Sequence, residues 1–232
     1  MNYLQILNLN GVARPSNLVV AIIALLKRNH VLRSIIDFEC TNKFDSSDLD
    51  VYLGLLKLPL FLKILELCPI PDLEIEEFLT QLRRTFLIAR KKILKTNDLL
   101  RLQTILALQC FTNEFIFRET LEETKAIELL EKDIENSFLS RSKVSQYDIA
   151  CLASYRVFHN YSWSNHLINY NDIEILVRRQ IVEVNKEKQI EGQIPKHRNI
   201  NGYISKAVKT QYEDNPYPRW VTTSIFPKSL SI

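Results

Sequence analysis

The stretch that decides the fold of this chain is residues 72–95, which read Asp72-Leu-Glu-Ile-Glu-Glu-Phe-Leu-Thr-Gln-Leu-Arg-Arg-Thr-Phe-Leu-Ile-Ala-Arg-Lys-Lys-Ile-Leu-Lys95. Its apolar residues recur at spacings of three and four, from Ile75 to Ile93. That spacing places them on one face of an α-helix. Acidic side chains fill the first turns and basic side chains the last turns, which complements the helix dipole. The pattern predicts one amphipathic helix over residues 72–95, about 35 Å long.

The next stretch, residues 97–119, is apolar on almost every side, and a helix of that kind is usually central. We therefore expect residues 72–95 and 97–119 to pack against each other as the core. The polar side chains of the second stretch then need buried partners. They form a candidate buried polar cluster, Gln109, Asn113 and Glu114. Such a cluster could line a pocket or fix the ends of neighbouring helices, and the second role is favoured because buried polar groups more often satisfy structure.

Glycine is scarce, since the 232 residues contain four. A sheet with tight hairpins needs more, whereas helices joined by Asn, Ser and Pro need almost none. The composition predicts an all-α fold, an irregular multi-helix domain of about eight to eleven helices. Its predicted parts are an N-terminal helical hairpin in residues 1–44, a helical core in residues 45–191, a linker in residues 192–199, and a terminal helix with an aromatic arm in residues 200–232. Ser16 is the predicted N-cap of the first hairpin helix.

The net charge of +3 is small for a chain of this length. Residues 83–95 nevertheless carry six basic side chains and no acidic one, which raises the hypothesis of an RNA-binding face. The helix that begins at Thr120 is acidic and offers an internal counterface, and no aromatic platform accompanies the basic run. The sequence therefore argues against nucleic acid as a partner.

The cysteine and histidine spacings predict neither a disulfide framework nor a metal site. The four cysteines stand far apart, at Cys40, Cys68, Cys110 and Cys151, so a reducing cytoplasm is the simplest location. His159 and His166 have no evident third ligand. The longest apolar run, residues 18–26, is too short to span a bilayer, so we expect no membrane partner.

The densest cluster of special side chains lies near the C-terminus, in Gln211-Tyr-Glu-Asp-Asn-Pro-Tyr-Pro-Arg-Trp220. Pro216 and Pro218 fix their own φ and favour extended neighbours, so a helix arriving from residue 200 must stop here. The rigid arm that results mixes rings and charges in a way that suits contact with a partner. The predicted docking residues are Tyr212, Glu213, Asn215, Tyr217, Arg219 and Trp220. Packing of the same rings on the chain's own helices is the open alternative.

The arm resembles the Gln-Tyr-Glu-Glu-Asn-Pro-Tyr-Pro-Arg-Trp signature of bacterial multidomain proteins in which tetratricopeptide repeats lead to a class I S-adenosylmethionine-dependent methyltransferase domain. Blocks at residues 71–84, 106–115, 179–181 and 194–195 are similar to the same family in the same order. The resemblance implies a helical connecting module, with the catalytic domain beginning where this chain ends. The chain departs from the family because we find no repeat array before the region and no cofactor domain after it.

No catalytic constellation is found in the sequence. It lacks a Gly-x-Ser-x-Gly elbow, a His-Glu-x-x-His motif and the glycine-rich turn that would hold S-adenosylmethionine. We therefore expect no catalytic, cofactor-binding or metal-binding residues here, and S-adenosylmethionine only in a separate catalytic domain.

Two functional classes remain open from the sequence. The chain is an accessory module that binds a separate methyltransferase domain or an acceptor protein, or it is a freestanding all-α protein-interaction module unrelated to methyl transfer. A truncated remnant of a methyltransferase is a further alternative. Whether the next reading frame downstream opens with a strand and a glycine-rich turn would separate the two.

Overall fold

The computed structural model describes residues 3–8, 13–41, 49–191 and 193. Within these ranges the chain forms eleven α-helices and no strand, which confirms the predicted all-α class and the predicted helix number. The helices are α1 (Tyr3–Asn8), α2 (Pro15–Leu26), α3 (His30–Thr41), α4 (Leu49–Leu53), α5 (Pro59–Leu67), α6 (Leu73–Ala89), α7 (Asn97–Thr112), α8 (Leu121–Leu139), α9 (Gln146–Ala153), α10 (Glu174–Val177) and α11 (Val184–Glu191). Short 3₁₀ turns fill several connections, and Arg178–Glu183, between α10 and α11, is π-helical.

The core is built around α7, which is buried along most of its length. α7 packs mainly on α5 and α9, whereas α6 packs mainly on α3 and α8. The expectation that residues 72–95 and 97–119 pair as the core was therefore too simple, because each helix has other principal neighbours. The apolar core is continuous from Leu7 in α1 to Ile181 in the π-helical segment. No helix among the described residues combines the length and the apolar character that a bilayer span requires.

The helix predicted for residues 72–95 ends early. α6 stops at Ala89, so it has 17 residues and is about 25 Å long. The Arg90 N–H turns back to the Leu87 carbonyl at 3.3 Å. The Arg90 guanidinium then donates to Asp133 of α8 at 2.9 Å. A tertiary contact, which the hydrophobic pattern does not encode, therefore accompanies the end of this helix.

The helix predicted for residues 97–119 also ends early, at Thr112. The Glu114 N–H donates to the Phe111 carbonyl at 3.2 Å, and the Phe115 N–H donates to the Cys110 carbonyl at 2.8 Å. Glu114 has a φ of 57°. These are the bonds of a Schellman motif, in which a left-handed residue closes a helix. Glycine usually fills that position, so a sequence search for glycine does not find this helix end.

The helix starts agree better with the sequence, because capping is local chemistry. Asp72 caps α6, as its carboxylate accepts from the Ile75 N–H at 3.1 Å. Thr120 begins α8 with a capping box, in which its hydroxyl accepts from the Glu123 N–H and the Glu123 carboxylate accepts from the Thr120 N–H.

The N-terminal helices depart from the prediction in one respect. Ser16 is not the N-cap of α2, because the helix begins at Pro15 with Arg14 in the cap position. Proline is favoured at the first helical position, where its missing N–H costs nothing. α2 packs on α5 and α3 packs on α6, and Lys27 at the end of α2 pairs with Asp72 at 2.8 Å. The first helices therefore share the core of the rest of the domain.

Candidate functional site

The six predicted docking residues lie outside the described residues, as do most of the predicted linker and the terminal helix. They are Tyr212, Glu213, Asn215, Tyr217, Arg219 and Trp220. The structure does describe the helical segment that leads towards them, residues 174–191. Its contact with the rest of the domain gathers several buried polar side chains.

We name this contact the C-terminal junction, the place where the ends of α5, α7 and α9 meet the π-helical segment. Arg179, 6% exposed, donates to the Glu66 carbonyl at 2.6 Å and to the Thr112 hydroxyl at 3.1 Å. Gln180, fully buried, donates to the Ala153 carbonyl at 3.0 Å. Glu66, Thr112 and Ala153 lie in the last turns of their helices. Carbonyls there lack partners within their own helix, and a nearby cation is favoured by the helix dipole.

The predicted buried polar cluster adjoins this junction. Gln109 is buried, and in the amide orientation that satisfies its hydrogen bonds it donates to the Leu65 carbonyl at 2.6 Å and to the Cys68 carbonyl at 3.1 Å. Asn113 is buried at the end of α7, and its side-chain oxygen has no hydrogen-bond partner among the described residues. Glu114 is half-buried. Gln109 therefore ties the end of α5 to α7, beside the bonds that Arg179 makes.

A second buried polar site lies between α6, α8 and α9. Arg83, 2% exposed, donates to the carbonyls of Phe117 and Arg118, at 3.4 and 2.9 Å, and pairs with Glu123 at 3.5 Å. Its guanidinium lies 4.1 Å from the ring centroid of Tyr155, and the Tyr155 hydroxyl donates to Glu123 at 2.7 Å. The buried cation and carboxylate are thus paired and hydrogen-bonded, as burial of charge requires.

The basic run of residues 83–95 faces acidic side chains of neighbouring helices. Arg84 pairs with Glu122 at 2.6 Å, and Arg90 pairs with Asp133 at 2.9 Å. The hydrogen bond from Arg90 holds the pKa of Asp133 below its ordinary range. Both carboxylates belong to α8, the acidic helix that the sequence offered as an internal counterface. Part of the basic run is therefore neutralised within the domain.

The segment around His159 and His166 builds a stack of rings on the end of α8. Trp163 stacks on Tyr161 with ring centroids 4.6 Å apart, and on Phe138 of α8 at 5.2 Å. His166 stacks on Phe138, with ring centroids 5.6 Å apart. The Tyr161 hydroxyl donates to Glu131. Across the described ranges, no group of three or more His, Cys, Asp or Glu side chains could hold a metal ion.

The cysteine side chains that the structure describes are free and buried, and they are Cys68, Cys110 and Cys151. Burial raises the pKa of each of these thiols to about 12. The thiolate is the reactive form of cysteine, so these three side chains remain protonated and unreactive near neutral pH. Their role is to pack.

Sequence reasoning missed Arg83, Arg179 and Gln180 as buried polar residues. A signal for two of them was present. Arg83 follows Leu79 by four residues and precedes Phe86 by three, and Gln180 lies four residues from both Leu176 and Val184. A polar side chain at the spacing of an apolar face indicates a buried hydrogen bond, because the helix carries it inward with its neighbours.

Comparisons of this chain with models of protein families, with curated proteins and with solved structures found no match.

Proposed function

We propose that this chain is a non-catalytic helical module that binds a partner protein through its C-terminal arm. The partner we propose is a separate S-adenosylmethionine-dependent methyltransferase domain, which would carry the cofactor itself. The resemblance of residues 211–220 to the segment before such a domain supports this choice. The arm also contains Tyr, Trp and Arg, the residue types that most often dominate the binding energy of interfaces.

The observation that carries the proposal is the C-terminal junction. Arg179 and Gln180 fasten the helical segment 174–191 to the ends of α5, α7 and α9. The chain that continues towards the arm therefore leaves from a segment anchored on three other helices. Anchoring of that kind suits a connecting module, because it fixes the point on the domain from which the chain continues towards the partner.

The experiment is a calorimetric titration of the full chain with a separately expressed methyltransferase domain from the resembled family. We expect a complex with one copy of each protein. Trp220→Ala or Tyr217→Ala should weaken it about 30-fold, because a central aromatic anchor contributes about 2 kcal/mol. Tyr203→Ala, which changes a ring of the same C-terminal region outside the arm, is the matched control and should leave the affinity unchanged.

Deletion of residues 214–232 completes the test. If the arm serves a partner, the deletion abolishes the complex and leaves the melting temperature of the free chain almost unchanged. A fall of several degrees would instead show that the arm rings pack on the chain's own core, since losing buried rings costs several kcal/mol. Absence of any complex with the methyltransferase domain would favour the freestanding interaction module.

A further inference from the structure

A cleft of about 390 Å³ opens beside the C-terminal junction. α7 contributes Leu100, Arg101 and Thr104 to its lining, and the residues around the start of α10 contribute Asp172 and Ile175. A volume of this size falls at the small end of the range of small-molecule sites. No role assigned above to the arm or to the buried ion pairs involves this cleft.

The inner part of the cleft is apolar. Half-buried Leu100 and exposed Ile175 are the apolar side chains of the lining that remain accessible, whereas Ile105 and Leu108 are buried. Thr104 lies among them, 5% exposed, and its hydroxyl has no hydrogen-bond partner in the described part of the chain. Buried hydroxyls without partners are uncommon. The accessible apolar side chains, Leu100 and Ile175, suit contact with a small hydrocarbon group, whereas the Thr104 hydroxyl does not.

The lining of the cleft includes both a basic side chain, Arg101, and an acidic one, Asp172. Arg101 and Asp172 are both exposed. Within the described residues, neither side chain forms an ion pair with the other or with any third residue. Glu66, the other acid of the lining, is already paired with Lys63 at 3.3 Å. One cation and one anion of the lining thus remain available to a ligand.

We infer that this cleft binds a free α-amino acid with an apolar side chain. Arg101 pairs with the ligand carboxylate, since a guanidinium matches the geometry of a carboxylate. Asp172 pairs with the ligand ammonium group, and the ligand side chain lies on Leu100 and Ile175. A zwitterion fits because Arg101 and Asp172 line the same cleft and form no ion pair with each other, so a ligand with both charges can pair with both side chains.

The test titrates the full chain with L-leucine and with two analogues that each lack one charge, followed by nuclear magnetic resonance. The analogues are 4-methylpentanoate, without the ammonium group, and 3-methylbutylamine, without the carboxylate. We expect saturable binding of leucine and at least about tenfold weaker binding of each analogue, because each loses one charge-assisted pair.

Two substitutions test which charge of the ligand each of the two side chains binds. Arg101→Gln should abolish the preference for leucine over 3-methylbutylamine, and Asp172→Asn should abolish the preference over 4-methylpentanoate. Both positions are exposed, so the variants should fold, and circular dichroism checks this. Arg118→Gln removes an exposed arginine outside the cleft lining and should bind leucine as the unaltered chain does.

Three results would overturn the inference: no saturable leucine binding up to about 10 mM, equal binding of leucine and either analogue, or leucine binding that survives both cleft substitutions. The deletion of residues 214–232 should leave leucine binding unchanged, because none of the cleft residues belongs to the arm. Failure of the amino-acid site and failure of the arm as a docking segment are therefore distinguishable.

Discussion

Arg83 and Arg84 are neighbours in the sequence with the same side chain, yet the fold uses them differently. Arg83 is buried beside Glu123 and stacks over Tyr155. Arg84 reaches Glu122 at the surface, where the two side chains are 40% and 56% exposed. Burial raises the cost of leaving a charge unpaired, whereas water compensates a surface charge that loses its partner.

The pair gives a matched test at the scale of the residue. We expect Arg83→Met to lower the free energy of unfolding by about 3–5 kcal/mol, because the Glu123 carboxylate would remain buried without its cation. Arg84→Met should cost less than about 1 kcal/mol, since its pair is exposed. Urea denaturation of both variants measures the difference. Similar losses for the two would show that the buried pair contributes no more than the surface pair.

At the scale of the element, the end of α8 resembles the end of α7. The Arg141 N–H donates to the Phe138 carbonyl at 3.2 Å, and the Ser142 N–H donates to the Ser137 carbonyl at 2.9 Å. Arg141 has a φ of 54°. This is again a Schellman motif without glycine, and a side chain in the left-handed region costs about 1–2 kcal/mol.

Arg141→Gly should therefore stabilise the chain. Arg141 is exposed, so little contact is lost. We expect a gain of about 0.5–1 kcal/mol, reduced from the full strain because glycine also loses more freedom on folding, and a melting temperature higher by about 1–4 °C. Arg141→Ala keeps the Cβ atom and should show no gain. A rise shared by both variants would assign the effect to the lost charge instead.

These helix ends show which features of the fold can be predicted from the sequence. The starts of α6 and α8 were predictable from Asp72 and Thr120, because a cap bonds to residues within the same turn. The ends of α6 and α7 could not be predicted in this way. Arg90 bonds to a helix that is distant in sequence, and Glu114 adopts a left-handed conformation that is not typical of glutamate. The packing of the core helices was only partly predictable, since an apolar face does not determine which helix packs against it.

In the whole molecule, one part of the candidate site could be predicted from the sequence and another part could not. The arm could be proposed from the sequence because prolines restrict the backbone locally and aromatic side chains often form contacts. Its role stays a prediction. The C-terminal junction could not be predicted, because Arg179 meets Glu66 and Thr112 only after three chain segments far apart in sequence have folded together. The cleft needs the same assembly.

The stability of the whole molecule should depend on pH through carboxylates that join helices. Arg156, after α9, makes a two-pronged contact with Glu119, before α8, at 2.9 and 3.2 Å. This hydrogen bonding lowers the pKa of Glu119 from its ordinary value of 4.5. A lowered folded-state pKa means that the stabilisation is fully present above about pH 4.5 and is lost as the pH falls through the lower folded value.

Glu119→Gln tests this expectation. The variant should be less stable than the unaltered chain at about pH 6, and the difference should shrink as the pH falls through the lowered pKa of Glu119, where Glu119 itself becomes protonated. Denaturant unfolding across that pH range gives both curves. Glu128→Gln changes an exposed glutamate and should run parallel to the unaltered chain. A difference for Glu119→Gln that stays constant with pH would show that its charge is not what joins the helices.

The π-helical segment Arg178–Glu183 affects how the helix that follows it is rotated about its axis. Its bonds run from each residue to the fifth before it, so it holds more residues per turn than the α-helices on either side. Each residue of an α-helix advances the chain by about 100° around the axis. Deletion of one residue here, with return to regular α-helix, would rotate α11 by about that angle. The rotational position of α11 is thus set by a difference of one residue in the length of this segment.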